Sequence, residues 1–304
     1  MSNFFLNTNL QYFSLLFLIT NFVSFYFTKN KLFPTIFFIL FLLIALVSGI
    51  INFLSCGIIL LFGFLIYNFY QKEFLPKYQI LIFFGILIIT ILSFLHKIPD
   101  IDNIEAIKDI QLSKNSSSFD LWLNFDKPLI AIFLLFFVYQ TPKKIIDYKN
   151  IFWQSILFFV PLFLIVLGLG IISNFLIFDP KFPDFQITFL WLIKMLFLTI
   201  YPEEFFFRFF IQNNVILLLK NSKYCAKYFS KNYQIIGIII VAILFGLTHF
   251  SGGFSFVLLA MICGFCYGLV YIRTGYIEAS IFLHFLVNLT HFFCFSYPSN
   301  LSIS

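Results

Sequence analysis

The run IFWQSILFFVPLFLIVLGLGIISNFLI, Ile151 to Ile177, holds no charged side chain. A helix needs about 20 consecutive, mostly apolar residues to cross the hydrocarbon of a bilayer, and this run exceeds that length. Working outward, similar segments occur at 10–28, 33–51, 54–70, 80–95, 129–140, 185–201, 205–219, 235–250, 254–272 and 277–297. Some are too short to span upright, so the pattern predicts eight to ten crossings. The runs are continuous rather than alternating apolar and polar, which selects helices over a β-barrel. The expected fold is all-α, a polytopic transmembrane helix bundle. Composition agrees: of 304 residues, 61% are hydrophobic and only 11% charged, where a soluble domain carries about a quarter charged residues.

The formal net charge of +6 resembles a nucleic-acid signal until the basic residues are located. They lie in short loops between apolar runs, as membrane proteins place them, so the expected partner is membrane lipid and no nucleic acid. One long polar stretch, His96 to Pro128, carries Asp100, Asp102, Glu105, Asp109, Asp120 and Asp126 against Lys97, Lys108, Lys114 and Lys127. Two basic loops oppose it: Lys143, Lys144 and Lys149, then Lys220, Lys223, Lys227 and Lys231. The positive-inside rule puts the basic loops in the cytoplasm and the polar stretch outside. The expected location is the cell (inner) membrane, as a multi-pass integral protein. Leu10 to Phe27 is long enough to span and is followed by no small-residue cleavage site, so it reads as a membrane helix. Four of the five cysteines (Cys56, Cys263, Cys266, Cys294, but not Cys225) lie inside apolar segments. The single CxxC at Cys263 and Cys266 is read as helix packing.

A charge at the bilayer centre costs on the order of 2.5–3.5 kcal/mol even on the gentlest scale. Glu203, Glu204 and Arg208 nevertheless sit within the otherwise apolar run Tyr201-Pro-Glu-Glu-Phe-Phe-Phe-Arg-Phe-Phe210. Glu204 and Arg208 are four apart and face each other on a helix, which predicts an internal ion pair. Glu203 points about 100° away from Glu204 and has no local cation. A desolvated carboxylate is suited to general-base work near neutral pH. His249 follows Phe245 by one helical turn, and His284 and Asn288 share a face in the same way. A lone histidine in a membrane helix is most often a packed or hydrogen-bonded structural residue. Three separate segments offering Glu, His and His/Asn form a set able to activate a water and hold an oxyanion. His291, Lys194 and His96 are secondary candidates: a further residue on the Asn288 face, a counter-ion or snorkelling lysine, and a solvated loop residue. Arg273, Thr274 and Gly275 read as a turn between helices.

EExxxR at Glu203 to Arg208, FxxxH at Phe245 to His249 and HxxxN at His284 to Asn288 follow one another in this order. In this the chain resembles the CAAX protease and bacteriocin-processing (ABI) family of intramembrane endopeptidases. The segment Gly268-Leu-Val-Tyr-Ile-Arg-Thr-Gly275 is similar to the family's usual connection, while Phe209 stands where the family usually has Gly. The resemblance covers about 185–295. It implies a domain boundary, with N-terminal membrane helices and the polar loop 96–128 in 1–180 and a protease domain at 185–297. It also implies hydrolysis of a peptide bond in a protein or peptide substrate, membrane-associated or of the prenylated type. Glu203, aided by His249, would activate water. His284 and Asn288 would hold the oxyanion, and Glu204 and Arg208 would order the site. Two histidines and a glutamate (Glu203, His249, His284) could instead bind a divalent metal such as zinc, although no HExxH is present.

Two other classes use the same buried polar residues. A transporter would run ions or protons along them, but no inverted repeat is visible. A non-catalytic binding or immunity protein would keep the motifs without using them.

Overall fold

The computed structural model describes residues 2–72, 75–223 and 232–298. Cys225, Lys227 and Lys231 lie outside the described residues. The chain is an all-α membrane bundle. Its helices are α1 (Ser2–Phe27), α2 (Leu32–Val47), α3 (Phe53–Gln71), α4 (Pro76–Phe94), α5 (Leu129–Phe137) and α6 (Ile145–Ile172). After these come α7 (Phe185–Asn221), α8 (Tyr233–Leu247), α9 (Gly253–Thr274) and α10 (Ile277–Cys294). Among the described residues, seven helices are long and apolar enough to cross a membrane, and α2 and α8 are shorter apolar helices. Only 17% of the most apolar stretch of α6 is buried within the protein. Its outer surface is therefore apolar and exposed, which lipid satisfies and water does not.

The polar stretch is not wholly loop. Strands β1 (Ile104–Gln111) and β2 (Ser118–Leu123) pair as a two-stranded sheet. β2 alternates, burying Phe119, Leu121 and Leu123 while Ser118, Asp120 and Trp122 face out. That is the period of two that a strand imposes.

The segments read separately at 185–201 and 205–219 are joined: α7 is one helical run. Its interior widens twice into π-helix, at Lys194–Ile200 and Phe205–Gln212, on either side of the α-helical turn Tyr201–Glu204. Pro202 explains how the run continues. In a regular α-helix its ring would clash with the carbonyl four residues back and leave that carbonyl unbonded. Here the Tyr201 amide reaches five residues back, to Leu196 O, the wider turn of a π-helix.

The chain clusters into two compact units. The first comprises Met1–Ala106, Trp122–Lys143 and Ile193–Pro202. Its centre is α5, buried from Leu129 to Phe136. Phe38 makes T-shaped contacts with both Phe133 and Phe136, Phe25 makes one with Phe136, and Phe62 makes one with Phe133. Asn21 Nδ2 donates to Pro34 O, tying α1 to the start of α2. Tyr201 and Tyr26 join hydroxyls at 3.1 Å. His96 is not simply solvated: its Nδ1 lies 3.0 Å from Oδ1 of the buried Asp126. Lys194 is half-buried at the start of the first π segment.

The second unit comprises Ile107–Leu121, Lys144–Leu192 and Glu203–Ser304. It packs α8 on α9, and α6 against both α9 and α10. Ser155 of α6 donates to Ala279 O of α10 at 3.0 Å. A backbone clip closes it: Asp179 and Lys181 amides donate to Cys294 and Phe293 carbonyls, and the Ser296 amide donates to Ile177 O. The connection before α7 thus pairs with the last residues of α10 and the chain just after it. Trp191 stacks on Phe292 at 4.0 Å and donates to the Tyr297 hydroxyl, fastening the start of α7 to the end of α10.

Candidate active site

Glu203 and Glu204 stand on the short α-helical turn of α7, immediately before its second π segment. Glu204 is 0% exposed and its Oε2 accepts from Arg208 Nε at 3.1 Å, the ion pair that the four-residue spacing predicted. Its other oxygen, Oε1, lies 2.8 Å from His284 Nδ1. One carboxylate thus joins the first and third sequence motifs. A carboxylate only accepts, so Nδ1 carries the proton, and in the neutral ring Nε2 is left with its lone pair. His284 is 5% exposed, halfway along α10.

Arg208 is also 0% exposed, and among the described residues its two terminal nitrogens lack hydrogen-bond partners. Aromatic faces surround it instead. Its guanidinium carbon lies 4.7 Å from the centre of the Phe245 ring, 5.7 Å from Tyr267 and 5.9 Å from Phe207. Ring faces are electronegative, so a desolvated cation is attracted to them. The approach is tight at α9: a Cβ on Gly264 would come within 2.9 Å of Phe245 Cδ1 and 3.4 Å of Arg208 Nη2.

Phe245 brings in the second motif. Its ring meets Arg208, stands edge-on to His284 at 5.9 Å and packs on His249 at 4.9 Å. His249 lies just past the C-terminus of α8, half-buried, with Nδ1 2.9 Å from Phe245 O and its ring edge-on to Phe256. A carbonyl oxygen only accepts, so Nδ1 of His249 is protonated as well, and in the neutral ring Nε2 carries the lone pair. Glu203 is 9% exposed and interacts with neighbouring groups, as does Asn288, half-buried one turn beyond His284. His291 is half-buried between the rings of Phe175 and Tyr297. Thr274 caps α9 by donating to Val270 O, and Gly275 turns the chain at a φ of 75°.

The residues as placed do not form a metal set. Among the described residues, no three His, Cys, Asp or Glu side chains gather to hold an ion. Glu203, His249 and His284, the ligands considered from sequence, are not such a group, and Nδ1 of His284 is already held by Glu204.

Residues 185–290 match the family model described as type II CAAX prenyl endopeptidase Rce1-like. This part of the chain is an Rce1-like domain. All three motifs, from Glu203 to Asn288, fall inside it. The chain has no match among curated proteins or among solved structures. Within the Rce1-like domain, sequence reasoning missed Tyr267, whose ring stacks on His284 at 4.6 Å. It also missed Ser280, whose hydroxyl donates to the Tyr267 carbonyl at 2.6 Å. A tyrosine and a serine inside apolar helices give no signal beyond packing. Phe245 was legible only as a residue on the His249 face, not as a ring touching every motif.

Proposed function

We propose that residues 185–297 form an intramembrane endopeptidase that hydrolyses a peptide bond of a membrane-associated or prenylated-type protein or peptide. The observation that carries this reading is the Glu204 carboxylate, bonded to both Arg208 and His284 in a buried, Rce1-like setting. A buried charge is costly unless it is paired and hydrogen-bonded; this arrangement meets that cost while leaving His284 Nε2 uncommitted.

The roles are those that the family resemblance implies. Glu203, aided by His249, takes a proton from water as its oxygen attacks the scissile carbonyl carbon. The carbonyl π electrons pass to oxygen. His284, which takes a proton from bulk water at Nε2 for this step and returns it on product release, and the Asn288 amide donate to that oxyanion. Collapse breaks the C–N bond, and the proton taken from water goes to the leaving nitrogen. The products are one carboxylic acid and one amine, so a single water is consumed. Arg208 holds the Glu204 carboxylate in place.

The test compares peptide termini by mass spectrometry in membranes from cells expressing the wild type or Glu203→Ala. New termini confined to the wild type would support the reading and reveal the substrate. Identical termini, with both proteins well expressed, would overturn it.

A further inference from the structure

We propose that Tyr267, which lies outside the three motifs, is the positioning residue that sets the plane of the His284 imidazole. The activity arm of this inference rests on the protease reading above; the spectroscopic arm does not.

A hydrogen bond restrains a ring at one atom. Glu204 fixes Nδ1 of His284 but leaves the imidazole able to swing about that bond, and the swing moves Nε2, the nitrogen that faces the chemistry. A second restraint must act on the ring's plane. Tyr267 supplies it: the two rings are stacked, with centroids 4.6 Å apart and planes 20° apart. Phe245 stands edge-on to the imidazole, at 5.9 Å and 88°, and limits sideways movement. Offset stacking and edge-on contact are the arrangements that aromatic quadrupoles favour.

Tyr267 is itself immobilised. It is 1% exposed, and the Arg208 guanidinium lies over its ring. Its carbonyl accepts from Ser280 Oγ at 2.6 Å. Ser280 and His284 are four residues apart on α10, so they lie on one face. One residue of α9 therefore grips α10 at two successive turns, by its backbone at Ser280 and by its ring at His284. The assigned role belongs to the ring and not to the phenolic hydroxyl, because stacking uses the face.

The experiment compares Tyr267→Leu with Tyr267→Phe in the full chain, using a peptide identified from the terminus comparison. Removing the ring should lower kcat by about 10–100-fold while KM stays within about two-fold, the pattern of a misaimed group rather than a lost binding contact. Tyr267→Phe should keep kcat within about two-fold of the wild type, since the face remains. In 15N-histidine NMR of the protein in micelles, the His284 signal is assigned by its loss in His284→Gln. It should report one Nδ1–H tautomer in the wild type and Tyr267→Phe, and mixed or exchange-broadened states in Tyr267→Leu. Wild-type kcat together with an unchanged His284 signal in Tyr267→Leu would overturn the proposal. If Tyr267→Leu does not fold, Tyr267→Met fills the space without a plane and is held to the same two outcomes. If the wild type cleaves nothing, the protease reading fails and the NMR comparison alone decides the positioning role.

Discussion

The Glu204 carboxylate and the His284 imidazole meet at 2.8 Å although eighty residues separate them in the chain. With Arg208 on the other carboxylate oxygen, three ionisable groups share a site from which solvent is excluded. In such a place a charge left without its partner is penalised far more than the pair itself contributes.

Glu204→Gln keeps the shape and removes the charge, so the Arg208 cation remains buried among aromatic faces without its anion. The expected loss is about 3–5 kcal/mol of stability, the range for breaking a buried pair from one side. Combining it with Arg208→Met should restore much of that loss, since the stranded cation goes too. Unfolding in detergent, followed for both variants and the wild type, checks this. A Glu204→Gln protein as stable as the wild type would show that the pair does not hold the site together.

The reach of sequence here follows from which interactions leave a pattern. The bundle was legible because lipid demands long apolar runs, and Ile151–Ile177 has no other use in water. The Glu204–Arg208 pair was legible because helical spacing sets it directly. The Glu204–His284 contact was not, because nothing in the spacing says how α10 is rotated about its axis against α7. Pro202 ordinarily kinks or breaks an α-helix but is absorbed here between π segments, a widening that nothing in the sequence announces. The strand Ser118–Leu123 was masked in a stretch dominated by charge, though its Phe, Leu and Leu alternate with outward residues. Tyr267 left no trace at all: one tyrosine among many aromatics in a membrane helix looks like packing.

Gly246 controls how closely α8 approaches α9, and His249 follows it by three residues. A Cβ at Gly246 would meet Met261 Cγ at 2.2 Å and the Val257 carbonyl oxygen at 2.8 Å. The methionine can yield, but the backbone carbonyl cannot without moving the helix. Gly246→Ala should cost about 1–3 kcal/mol, as overpacking does. It should also carry His249 away from its place against Phe256. Thermal unfolding and proteolysis measured on the same preparation read both effects. A variant that loses neither stability nor cleavage would mean that this contact relaxes at no cost.

Lys181 gives a stability dependence on pH that does not involve the candidate site. It lies in the connection between α6 and α7, outside the spans, and its ammonium is buried and donates to the Phe295 carbonyl. Burial lowers its pKa from the usual 10.5, against the opposing pull of Asp179. Below the lowered folded value both states hold the proton, and the native state bears the full cost of burying the charge. As pH rises from there towards 10.5, the native state sheds its proton while the unfolded chain still binds one, so stability rises with pH. Above 10.5 that gain is complete. Lys181→Met removes the titrating group and should flatten this part of the profile. The check is the unfolding midpoint of both proteins in detergent across the alkaline range. Parallel profiles for wild type and variant would show that the buried ammonium carries no such cost.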